Sequence, residues 1–104
     1  MISRLWHGWT SNENADPYEK LIRQTIFPGI LARRIEGLER IELLRRPLGH
    51  EVEFITIMWF SSWDAVREFA GPDWETSVVP AAAREVLSRF DEKAQHYEVM
   101  VRGP

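Results

Sequence analysis

The chain has 104 residues, of which 44% are hydrophobic and 28% charged, with a formal charge of −3. That size supports one core and one domain, spanning residues 1–104. A mildly acidic chain with interspersed basic residues offers no general attraction to nucleic acid or anionic membrane. Cysteine is absent, which excludes disulfides, thiolate metal sites and cysteine nucleophiles.

Residues 2–10 alternate as a strand, with Leu5, His7 and Trp9 on one face and Arg4, Trp6 and Gly8 on the other. Asn14 or Asp16 can cap the following helix, and Pro17 suits its first turn. Tyr18, Leu21, Ile22, Thr25, Ile26, Gly29 and Ile30 recur at helical spacing. Pro28 removes a helical donor and is expected to kink or end this helix, with Gly37 as a later stop. Residues 38–60 read as a hairpin turning at Pro47-Leu48-Gly49-His50. Its second arm, Val52 to Phe60, is apolar on both faces: Val52, Phe54, Thr56, Met58 and Phe60 against Ile55, Ile57 and Trp59.

Ser61 or Ser62 caps the next helix, whose stripe is Val66, Phe69 and Ala70, and Gly71-Pro72 stops it. A loop over 72–80 holds Trp74, and a further helical stretch carries Ala83, Val86, Leu87 and Phe90. A last strand is expected over 94–102, with Tyr97, Val99 and Val101 opposed to His96, Glu98 and Met100. The order β-α-β-β-α-β predicts an α+β, ferredoxin-like protomer: a four-stranded antiparallel sheet with helices on one face. The first and third strands occupy its centre. The chain has no element left to cover the other sheet face, so a homodimer through that face is expected. No segment approaches a membrane span and the N-terminus shows no signal-peptide pattern, so a cytoplasmic protein is the default.

Five tryptophans suit core filling or an aromatic-lined pocket. Of three histidines, His50 falls in the hairpin turn, while His7 and His96 lie on strands expected to be neighbours. If they converge, they could move a proton to or from a substrate; otherwise they are strand histidines satisfied by water or carbonyls. A metal set of His7, His96 and Glu98 matches no known spacing signature, and no metal site is assigned. Arg45 and Arg46 could receive an acidic group or simply form a solvated hairpin end. Tyr18 could hydrogen-bond a ligand or anchor the core, and Trp63 could roof a pocket or pack. No phosphate loop, dinucleotide fingerprint or nucleophile elbow is present.

Several short segments, taken in order, carry a likeness. They are Trp6-His7-Gly8, Asp16-Pro17-Tyr18, Gly37, Leu44-Arg45-Arg46 and Glu53-Phe54, then Ser62 with Phe69-Ala70-Gly71, Val79-Pro80 and His96-Tyr97-Glu98-Val99. On these the chain resembles the antibiotic biosynthesis monooxygenase family of dimeric α/β barrels. The resemblance implies a protomer whose sheet packs against its twin's. It also implies oxidation of a small phenol- or quinol-type aromatic by molecular oxygen without a cofactor. His96 would be the base and His7 its neighbour, with Trp9, Trp63 and Tyr18 as pocket walls or hydrogen-bonders. A non-catalytic dimer that binds a small aromatic ligand, and an isomerase or cyclase use of the same barrel, are the alternatives. Haem-handling relatives use a first-strand asparagine and a helix-borne histidine, and this chain has neither at those places.

Overall fold

The computed structural model describes residues 1–104. Three strands are ten residues long: β1 (Ile2–Ser11), β2 (Leu38–Pro47) and β3 (Glu51–Phe60). β1 and β3 pair antiparallel along their whole length, from Ile2 opposite Phe60 to Ser11 opposite Glu51. β2 hairpins back onto β3, closed by Leu48 N–H donating to the Glu51 carbonyl at 2.8 Å. The sheet order is β2-β3-β1, with two short strands, β4 (Arg89–Phe90) and β5 (Gln95–Glu98), sharing the far edge of β1. This is the expected α+β, ferredoxin-like arrangement, with the first and third long strands at the centre.

The helical layer lies over the even-numbered residues of β1 and β3. α1 (Ala15–Leu21) does not end at Pro28. It passes through a π-helical turn, Ile22–Ile26, and continues as α2 (Phe27–Ala32). The Phe27 N–H reaches back five residues to the Ile22 carbonyl. That wider turn relieves the ladder just where Pro28 supplies no donor and where its ring would crowd an ordinary helix. α3 (Trp63–Ala70) starts at Ser62, whose Oγ accepts from the Ala65 N–H at 3.2 Å, and stops at Gly71 with φ 86°.

The last third of the chain departs from the expected pattern. α4 (Ala81–Val86) stops at Val86, and Phe90 belongs to β4, not to a helix. The free edge of β1 explains this: the Trp9 carbonyl accepts from both the Ser88 N–H (2.8 Å) and the Ser88 hydroxyl (2.9 Å). Filling an orphan strand acceptor wins over another helical turn. The final strand is likewise four residues rather than nine, and residues 99–104 carry no regular structure.

The buried residues form two clusters rather than one. Ala15, Tyr18, Ile22, Val52, Phe54 and Ala83 make the first; Ile2, Met58, Phe60, Ala65 and Val66 make the second. Along β3 the helix-facing side chains therefore read Val52 and Phe54, then Thr56, then Met58 and Phe60. Thr56 marks the gap.

Gly37 (φ 90°) joins the helical layer to β2, and a Cβ there would stand 2.5 Å from Ser61 Oγ and 2.9 Å from Ala65 Cβ. Gly37→Ala is expected to destabilise the fold by about 2 kcal/mol, through left-handed strain and displacement of Ser61. Urea unfolding measures it, and a change under about 0.5 kcal/mol would contradict the close approach.

Candidate active site

The gap between the two clusters is a cavity of about 60 Å³ between the sheet and the helical layer. Trp6 and Thr56 form its floor, Ile22, Ile26 and Phe27 of the π-helical region one wall, and Phe69 with Val78-Val79-Pro80 the other. Tyr18 and Arg4 also line it. Tyr18 packs edge-on to Phe54, ring centroids 4.8 Å apart, and Phe54 stands opposite Gly8. Tyr18 thus sits near Gly8, and Arg4 lies four residues away along β1, about 13 Å of strand. The lining is otherwise almost wholly apolar, the usual make-up of a small-molecule site with a few placed polar groups. A cavity of about 150 Å³ is known to hold benzene, so an aromatic ring needs the walls to move outward.

Arg4 is the unexpected member. It is 4% exposed yet belongs to none of the chain's ion pairs. Its Nη1 donates to the Trp74 carbonyl at 2.5 Å and lies 3.0 Å from His96 Nε2; Nη2 donates to the Thr76 carbonyl at 3.4 Å. Phe69 lies beneath its guanidinium, 5.4 Å to the ring centroid. Burial lowers its pKa to about 10, which leaves it charged at neutral pH.

His96 is held neutral by the same arrangement. Because Arg4 can only donate, Nε2 must accept, and the imidazole proton resides on Nδ1. Burial, then the charge of Arg4, lowers the His96 pKa to about 4. Trp63 and Trp74 pack on the ring, with centroids 5.6 and 4.9 Å away.

His7 and His96 are not brought together. His96 lies directly opposite Arg4 in the β1–β5 ladder, on the helix-facing side, whereas His7 has odd parity and faces the open side. His7 Nδ1 is 2.8 Å from Asp91 Oδ2, which also accepts from the His7 backbone N–H at 3.2 Å. Asp91 thereby fills the break between β4 and β5. Trp9 stacks on His7, centroids 6.0 Å apart, under the guanidinium of Arg89 at 3.9 Å. Of the residues singled out from sequence, only Tyr18 lines the cavity. His96 and Trp63 stand behind Arg4, and His7 and Trp9 occupy the opposite sheet face. The His7, His96 and Glu98 set is divided by the sheet, and no group of three His, Asp or Glu side chains is placed to hold a metal ion. Sequence reasoning missed Arg4 and Asp91, and offered Trp6 only as one of five tryptophans suited to a core or a pocket. Arg4 and Trp6 lie on the parity of β1 that faces the helices, which the sequence of β1 alone does not fix.

The fold is shared with solved structures, among them the following three. A Bacillus cereus protein described as a candidate antibiotic biosynthesis monooxygenase superposes with a TM-score of 0.67 at 10% identity, covering 100% of this chain and 95% of that one. Rv0793 from Mycobacterium tuberculosis gives 0.62 at 16% identity, covering 99% and 98%. The fold is that of the antibiotic biosynthesis monooxygenase-like proteins. An EthD family protein from Bacillus halodurans gives 0.55 at 17% identity, covering 96% and 100%. At these identities it is the fold that is shared. No protein-family model and no curated protein matches the sequence.

The neutral His96 has a consequence for pH. Its folded pKa lies below the unfolded value near 6.5, so the unfolded chain binds more protons between roughly pH 6.5 and 4. This contribution to stability is present above pH 6.5 and is lost as the pH falls toward 4. His96→Gln, which can still accept from Arg4, should flatten the stability profile across that window. An NMR titration should show a neutral His96 ring at pH 5; a midpoint near 6.5 would contradict the Arg4 contact.

Proposed function

We propose that the cavity binds a small aromatic compound and that the protein oxidises a phenol-type substrate with molecular oxygen, without a cofactor. The observation that carries this reading is the gap between the two core clusters, aromatic-walled by Trp6, Phe27 and Phe69. The shared fold with a candidate antibiotic biosynthesis monooxygenase supports it. In the proposed reaction an electron-rich phenol loses its proton and supplies four electrons to O2. One oxygen atom becomes the new quinone carbonyl, replacing a ring C–H, and the other leaves as water that carries the phenolic proton and the displaced ring hydrogen. Tyr18, whose hydroxyl has no hydrogen-bond partner in the chain, would donate to the substrate oxygen as its charge develops. Burial raises the Tyr18 pKa, so the hydroxyl keeps its proton to donate. His96 would contribute through Arg4, since its Nε2 is already occupied.

With an alkoxy-substituted phenol and metal-free protein, one O2 should be consumed per quinone formed. Tyr18→Phe should slow the reaction about 10- to 100-fold. Thr56→Leu, which fills the gap, should abolish turnover while leaving the protein at least as stable. Undiminished oxygen uptake in Thr56→Leu would remove the cavity from the mechanism. A second reading rests on the lack of any free histidine or carboxylate among the cavity residues. It is a binding protein that sequesters the aromatic without turning it over, giving saturable tryptophan quenching and no oxygen uptake.

We also propose that a second copy of the chain covers the odd-numbered face. Leu5, Trp9, Ile55, Ile57 and Trp59 are only half-buried there, and Leu44 and Tyr97 are 42% and 56% exposed. So broad an apolar patch is unusual on a monomer. Light scattering should report a dimer for the parent chain and a monomer for Ile57→Lys; a monomeric parent at micromolar concentration would refute this packing.

A further inference from the structure

We propose that the occupant of the cavity carries a carboxylate, and that Arg4 receives it: the ligand is a small aromatic acid, a phenol bearing a carboxylate rather than an uncharged one. This rests on the reading of the cavity as a ligand site and specifies what enters it.

Charged side chains are almost never this buried unless paired. Arg4 is 4% exposed, lines the cavity and has no carboxylate partner anywhere in the chain. Its three contacts are to neutral acceptors: two main-chain carbonyls and the His96 ring. They use both Nη1 hydrogens and one of Nη2. The Nε–H and the second Nη2–H are left without an acceptor. The free Nε–H lies on the side edge of the guanidinium, where Nε–H and Nη2–H make the fork that matches a carboxylate's two oxygens.

The surrounding contacts hold that edge in place. Trp74 and Thr76 belong to the 72–80 loop, so the guanidinium is pinned between β1 and that loop, over Phe69. A neutral His96 satisfies Nη1 without cancelling the charge, whereas an aspartate or glutamate there would. The net positive charge thus stays available at one end of an otherwise apolar cavity. Its low dielectric strengthens a pairing that water would weaken. The ring of an aryl acid would extend from Arg4 over Thr56 and Trp6 toward Tyr18.

Benzoate and benzamide provide matched charged and neutral ligands at pH 7, with binding followed by calorimetry or ligand-observed NMR. Benzoate should bind at least about tenfold more tightly than benzamide, as expected of hydrogen bonds to a charged group. Thr56→Leu should abolish the binding of both. Arg4→Met should erase the benzoate preference while benzamide still binds, and Arg4→Lys should restore part of it. The wild-type ratio decides the matter if Arg4→Met fails to fold. Equal binding of the two compounds, both sensitive to Thr56→Leu, would overturn the carboxylate and leave the cavity as a ligand site. Failure of both compounds to bind would overturn the carboxylate proposal and the reading of the cavity as a ligand site together.

Discussion

The unbroken ten-pair register between β1 and β3 is the constraint on which the rest of the molecule depends. Because side chains alternate strictly, that register fixes every even residue of both strands beneath the helices and every odd residue on the open face. A slip of one residue would exchange Phe54, Met58 and Phe60 for Glu53, Ile57 and Trp59 beneath the helices. The two histidines on adjoining strands are separated by parity, because the β1–β5 ladder sets His96 opposite Arg4 and not on the face of His7. His96 answers to Arg4 on one side, and His7 answers to Asp91 on the other.

The second constraint is the buried charge. A guanidinium under the helical layer costs several kcal/mol of desolvation if left unsatisfied. The protein offsets part of that with the Trp74 and Thr76 carbonyls, the His96 lone pair and the Phe69 ring. These partners tie the 72–80 loop to β1, so the same residue that charges the cavity also positions its outer wall. Between the two core clusters β3 places Thr56, opposite Trp6, and the cavity lies there with Arg4 in its lining.

Much of this architecture was legible in the sequence because it follows from period. The alternation of β1, the two-faced apolar run of β3, the hairpin at Leu48-Gly49-His50, a serine cap at 61 or 62 and the Gly71 stop all rest on local chemistry. What escaped depends on neighbours distant in the chain. Pro28 is tolerated because a π-helical turn absorbs its missing donor, and the sequence around it carries no mark of that. Phe90 fits a helical stripe equally well, and only the vacant edge of β1 draws it into a strand. At the site, Tyr18 was recognisable from its place in the first helical turn. Arg4 was not, because an arginine on a strand is ordinarily solvated. Its burial follows only once β3 shows which parity lies under the helices.

Division of labour between the two sheet faces is tested most directly by methyl NMR with benzoate as titrant. Shifts should concentrate in Ile22, Ile26, Ile30 and Met58, which line the cavity, and spare Ile55 and Ile57 on the open face. Shifts confined to Ile55, Ile57 and Leu44 would place the ligand on the face assigned to the twin subunit and contradict the assignment of the cavity.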